Sequence, residues 1–196
     1  MNKLISVSLS SLLLAFIVIP SVFSQTDEDC LGCHSLAHGA TEGTEAPLVN
    51  MQVCQKSVHV DLGFACIDCH MDIDGLPHAD DLAPVDCGMC HVEIQEVYAN
   101  SVHGLALAEG ADDAPTCARC HGSENLLPSD DPRSPVNPMR IARLCGECHS
   151  NANIMSKYGF SSSKQEVLYG GSVQASEVLA GNENAPTCAD CHGYHD

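Results

Sequence analysis

Six copies of Cys-x-x-Cys-His punctuate the chain: Cys30–His34, Cys66–His70, Cys87–His91, Cys117–His121, Cys145–His149 and Cys188–His192. They take 12 of the 13 cysteines and leave Cys54 over. Histidine fills 11 of 196 positions, so its accidental presence behind all six pairs has a probability on the order of 10⁻⁸. The histidine therefore belongs to the motif, and any reading of the cysteines has to give it work.

Three chemistries use paired cysteines. Zinc is a rival, because Cys66, Cys69, Cys87 and Cys90 have zinc-ribbon spacing, but zinc needs no histidine behind every second cysteine. A disulfide scaffold would suit an exported chain, yet it too leaves the histidines idle. A thioredoxin-like redox pair calls for one motif and not six. Covalent c-type haem uses every residue of the motif. Cysteines three apart share a helix face, so Cys30 with Cys33, Cys66 with Cys69, Cys87 with Cys90, Cys117 with Cys120, Cys145 with Cys148 and Cys188 with Cys191 can each bond the two vinyl groups of one porphyrin. His34, His70, His91, His121, His149 and His192 then lie under the iron as proximal ligands. The cofactor expected is six haem c.

Six haems also explain the composition. The sequence has no Trp, four Phe and four Tyr, too few large side chains for an ordinary core. Porphyrins must stack as the interior instead. The expected fold is mainly α with extensive loops and no significant sheet, a small multihaem cytochrome fold.

Five histidines are not spent on the motifs: His38, His59, His78, His103 and His195. All five are candidate distal ligands. His59 and His103 share a Ser-Val-His context, and His78 follows a proline. His38 and His195 sit four and three residues after a proximal histidine, too close to cross to the other face of the same porphyrin, so each suits a neighbouring haem. Five candidates leave one of six irons short. Residues 101–122 and 172–193 align without a gap, and in that alignment Gln174 replaces His103. The deficit is therefore expected at the haem this segment would cap. Its iron is five-coordinate, takes Met139 or Met155, or is completed from another chain or from sequence beyond this one. Cys54 reads most simply as a free thiol, with a thiolate ligand as the alternative.

The start of the chain reads as a secretory signal over 1–24, with Lys3 in the charged region, Leu4 to Ile19 apolar, and cleavage expected before Gln25. Residues 25–196 form the haem domain, with sub-units of about 25–95 and 96–196. No later stretch is long enough to span a membrane. Without residues 1–24 the chain keeps 7 basic and 26 acidic residues, a net charge of −19. That charge disfavours nucleic acid and anionic membranes, and favours basic partners. Helices are expected at 92–109, stopped by Gly110, and from a capping box of Ser163 and Glu166 to Gly181. Another is expected at 138–149, with Pro138 in its first turn. The second repeat ends soon after its motif, which suggests the front of a longer chain.

These stretches resemble the superfamily of exported bacterial multihaem c-type cytochromes: "SVHGLALAEGADDAPTCARCHG" (101–122), "CIDCHMDIDGLPH" (66–78), "SPVNPMRIARLCGECHS" (134–150) and "APTCADCHGYHD" (185–196). The resemblance implies bis-histidine haems and electron transfer in the periplasm or outside the cell, with His59, His78, His103 and His195 as distal ligands. Gln174 depart from that pattern, as does Glu124, which stands where the first copy would carry the histidine of "CHGxH". The favoured function is an electron carrier between a membrane quinol dehydrogenase, or other cytochromes, and a terminal acceptor. A reductase or oxidase of small nitrogen or sulfur compounds at the incompletely ligated haem is the second reading. The third is a subunit of a homo-oligomer or extracellular filament. No lysine replaces a motif histidine, and Arg119, Arg133, Arg140 and Arg143 fit haem propionates or acidic surface better than a substrate pocket, so the balance is against an enzyme.

Overall fold

The computed structural model describes residues 25–35 and 48–196, and among these residues every regular element is helical. The candidate signal over 1–24 and His38 lie outside the described residues. In chain order the helices are α1 (Asp27–His34), α2 (Met51–Cys54), α3 (Val58–Asp61), α4 (Cys66–Cys69), α5 (Val92–Asn100), α6 (Val102–Ala108), α7 (Cys117–His121), α8 (Pro138–His149), α9 (Ala152–Lys157), α10 (Gln165–Gly170), α11 (Val173–Leu179) and α12 (Cys188–His192). A 3-10 turn at Cys87–Met89 carries the third motif. The mainly α, loop-rich architecture is the one the motifs require. No helix among the described residues is long and apolar enough to cross a membrane.

The helices are too short to stand alone. The longest, α8, has 12 residues, where isolated helices are still marginal in water. Side chains supply little interior: among the described residues the buried apolar ones are Leu127, Ile141, Met155, Ala175 and Val178. Meanwhile Val102, Leu62 and Val173 are 76%, 75% and 74% exposed. Helices with so little polypeptide core must be held by something the chain does not itself provide.

The internal repeat is visible as repeated structure. α5, α6 and α7 correspond to α10, α11 and α12. The Tyr98 hydroxyl donates to the Pro115 carbonyl, and Tyr169 donates to the Pro186 carbonyl at 2.9 Å. Each bond ties a helix to the approach of the following motif. Gly122 and Gly193 then leave the motif helices at φ +90° and +85°, which a side chain would oppose.

Two expectations are corrected. The helix foreseen at 92–109 breaks at Ser101, which is extended (φ −73°, ψ 165°) and accepts the Gly104 N–H at 3.1 Å. Ser172 does the same for Ala175 at 3.2 Å. A serine hydroxyl satisfies a free N-terminal donor, so it begins a new helix in place of extending the old one. The capping box of Ser163 and Glu166 is absent: Lys164 is the N-cap of α10, without a side-chain bond. Glu166 instead lies against Gly146, where α10 packs on α8.

The break brings Gly104 hard against the Tyr98 carbonyl and the Ala99 backbone, so a Cβ there would overlap main chain. In the second copy alanine replaces Gly104, and Gly170 replaces Ala99, moving the small residue to the other side of the contact. Gly104→Ala should therefore cost about 1–3 kcal/mol, read as a lower thermal midpoint. An unchanged midpoint would count against this close approach.

Candidate functional site

The motif helices begin where local chemistry caps them. In the second and sixth motifs an aspartate stands between the cysteines. The Asp68 carboxylate accepts the Ala65 N–H at 2.7 Å, and the Asp190 carboxylate accepts both the Thr187 N–H and its hydroxyl at 2.7 Å. Asp29, just before Cys30, accepts the Thr26 N–H at 2.9 Å. Carboxylates in a first turn also meet the positive end of the helix. The fourth motif has Arg119 in the corresponding place, and it pairs at 2.7 Å with Glu147, which holds that place in the fifth. Asp27 accepts the Cys66 N–H at 2.8 Å and joins the first motif to the second.

These helices place four motif histidines opposite four spare ones. His34 faces His78, with ring centres 5.6 Å apart, planes at 7° and Nε2 atoms 3.3 Å apart. His91 faces His59 at 5.9 Å and 68°. His121 faces His195 at 5.9 Å and 7°, and His149 faces His103 at 6.1 Å and 57°. Metal–imidazole bonds of about 2 Å put two nitrogens about 4 Å apart across one metal. The His34–His78 gap is a little under that spacing, and the ring-centre separations at all four centres suit one metal between two rings. His70 and His192 are exposed and have no imidazole opposite them among the described residues.

Burial favours the neutral form of two of these rings. Desolvation and then His149 hold His103 below its ordinary pKa, and desolvation, His195 and His91 do the same for His121. A neutral ring keeps the lone pair that a metal needs. His78 Nδ1 lies 2.7 Å from the Ala79 carbonyl, which leaves Nε2 for the face toward His34. His59 Nδ1 is buried with no hydrogen-bond partner. Such an orphan points to a group outside the polypeptide.

The family model described as cytochrome c3 matches residues 58–150. That stretch carries four of the six motifs and is similar to a cytochrome c3. No curated protein and no solved structure matches the chain.

The motif cysteines and the opposed histidines fit covalently bound haem c. When bound, the haem supplies an iron that gains and loses one electron, at a potential set by its ligands and surroundings. None of the 13 cysteines is paired in a disulfide. Among the described residues no three His, Cys, Asp or Glu side chains converge as a metal site, so Cys66, Cys69, Cys87 and Cys90 do not gather as zinc would require. The Cys54 thiol is pushed up by burial, then by Glu124, Asp27 and Cys69, the opposite of what a thiolate ligand needs.

The other named residues are placed as follows. Met155 is a buried core residue at 4% exposure, and Met139 is 46% exposed. Gln174 is exposed on α11. Its counterpart His103 faces the fifth motif, and the repeat offset carries His149 past Asp196, so the repeat ties Gln174 to none of the six motifs. The two centres without an opposed imidazole are the second and sixth. Arg119 and Arg133 meet Glu147 and Asp131, and Arg140 donates to the Pro132 carbonyl at 2.7 Å.

Sequence reasoning passed over the capping carboxylates, although an aspartate inside Cys-x-Asp-Cys was a legible sign. It also missed that the serine of Ser-Val-His is itself a cap. Ser57, like Ser101, is buried, and it accepts the N–H of His59 at 3.3 Å. The Val58 N–H donates to the Leu126 carbonyl at 2.9 Å, so the connector after the fourth motif steadies the histidine that faces the third. Ser101→Ala should cost about 1 kcal/mol. Chemical denaturation would read this as a lower midpoint at unchanged slope.

Proposed function

We infer that the protein carries six covalently bound haems, most of them held between two histidines, and passes electrons in the periplasm or outside the cell. The observation that supports this best is the set of four opposed histidine pairs, each spaced for one metal. An iron closed on both faces exchanges electrons but binds no substrate. The assigned pairs are His34 with His78, His91 with His59, His121 with His195 and His149 with His103. The apolar start at 1–24, read as an export signal, sets the location. The quinol dehydrogenase of the membrane and other cytochromes are the partners that suit this chemistry. With a net charge of −19 once residues 1–24 are removed, before any propionate is counted, the docking face of such a partner is basic. Stopped-flow reduction by a basic redox protein should slow several-fold as salt is raised from 10 to 150 mM, roughly as the screening length falls from 30 to 8 Å. A salt-independent rate would argue against this partner class.

A second reading rests on His70 and His192. Once four spare histidines are paired, only His38 remains for these two irons, so one iron lacks a histidine from this sequence. An open iron could reduce or oxidise a small nitrogen or sulfur compound. Electron paramagnetic resonance of the ferric protein separates the readings: a wholly low-spin spectrum favours the carrier, whereas a high-spin component with turnover of nitrite, hydroxylamine or a sulfur oxyanion favours catalysis.

A further inference from the structure

The four opposed histidine pairs have two kinds of ring geometry. His34 with His78 and His121 with His195 have planes at 7°, whereas His91 with His59 and His149 with His103 are turned by 68° and 57°. Nothing in the motifs dictates such a split, because every motif offers the same proximal histidine. The cause therefore lies with the facing ring.

A metal-facing histidine usually has its plane fixed by a hydrogen bond at the nitrogen turned away from the metal. His78 fits that rule, with Nδ1 2.7 Å from the Ala79 carbonyl. His59 does not, since its Nδ1 is buried without a partner. What meets its ring instead is Phe64, edge to face, with centres 5.7 Å apart and planes at 82°. The backbone holds Phe64 in that place. Gly63, at φ +88°, stops α3 and donates to the Val60 carbonyl at 2.9 Å, while the Phe64 N–H donates to the His59 carbonyl at 3.0 Å. Such a pair of bonds around a left-handed glycine folds the residue after the glycine back onto the last helical turn. On the other side of Phe64, the Ala65 N–H donates to the Asp68 carboxylate at 2.7 Å. Phe64 is thus pinned between α3 and the second motif. α6 starts with the same Ser-Val-His, but its closing turn joins the Ala111 N–H to the Ala106 carbonyl at 3.0 Å, well past His103.

We propose that Phe64 is a positioning residue: its ring holds His59 crossed to His91 and gives the third site an electronic state unlike that of the parallel first and fourth sites. The proposal rests on the haem reading above. An imidazole donates π density perpendicular to its own plane. Parallel rings act on one iron d orbital and split it from its partner; crossed rings act on both and leave the two nearly level. A ferric site with parallel rings gives a rhombic paramagnetic resonance signal. One with crossed rings gives a single steep feature at high g.

Electron paramagnetic resonance of the fully ferric, haem-loaded protein tests this. The wild type should show both kinds of signal, with steep features from the third and fifth sites. Phe64 is 41% exposed, so Phe64→Leu keeps an apolar side chain without opening a core. It removes the aromatic edge, and the steep intensity should fall to about half while the rhombic signals stay. Phe64→Tyr keeps the edge and should retain the wild-type spectrum, and His59→Met should remove the same steep feature that Phe64→Leu loses. Steep features unchanged in Phe64→Leu, or a loss that Phe64→Tyr shares, overturn the proposal. A wild type with rhombic low-spin signals alone also overturns it, and that result needs no variant to fold. A pyridine haemochrome count keeps the two claims apart. Fewer than six haems sinks the reading beneath the proposal, whereas six haems whose low-spin signals are of a single kind sink the proposal alone.

Discussion

Replacing the twelve motif cysteines by serine leaves a chain that does not fold. Far-UV circular dichroism should show little helix and no cooperative melting, and the polypeptide should be lost to proteolysis in the cell. The five buried apolar side chains among the described residues cannot offset the ordering entropy of so long a chain. Most helices here have four to nine residues, well below the length at which a helix persists unaided. Haems that fill the interior would cover the exposed faces of Val102, Leu62 and Val173 and supply the cross-links. A native margin of about 5–15 kcal/mol then depends on groups the polypeptide does not contain. A cooperative transition with native helix content in the serine variant would contradict this.

His103→Met and His103→Ala should each change one haem and leave five alone. His103 faces His149 with ring centres 6.1 Å apart, and Ser101 caps its helix. Methionine in place of an axial histidine raises the potential, by on the order of 0.1 V or more within the roughly 0.8 V that axial ligands span. At 59 mV per tenfold for one electron, that is a shift of about fifty-fold or more in occupancy. Alanine opens the face: about a sixth of the ferric haem becomes high-spin, and the ferrous form gains one carbon monoxide site. Gln174→Ala, at the repeat-equivalent position, is exposed and should change neither readout. Spectroelectrochemistry decides between these outcomes, and an unchanged set of six potentials in His103→Met would remove His103 from the ligand set.

The motifs made much of this legible. Six Cys-x-x-Cys-His units, with almost no large aromatic side chains, imply short helices around cofactors, and short helices are what the described residues form. The 71-residue repeat was readable to the residue, whereas the paired tyrosine bonds and the glycines at positive φ that it shares came only from the structure. Helix limits were less legible, because apolar periodicity runs straight through Ser101 and only the competition of its hydroxyl for the Gly104 N–H breaks the helix. Glu166 looked like a capping residue until α8 offered it Gly146. Pairing of the histidines was the least accessible feature. It depends on contacts such as Asp27 to Cys66 and Val58 to Leu126, between segments far apart in sequence, and no local pattern encodes them.

Porphyrins bonded through thioethers to this polypeptide are what every function proposed here requires. Intact-mass spectrometry of the purified, exported protein, after acid denaturation, tests this most directly. The predicted result is the polypeptide mass plus six haem masses that survive extraction with acidified organic solvent; a colourless protein with the mass of the bare polypeptide would contradict it.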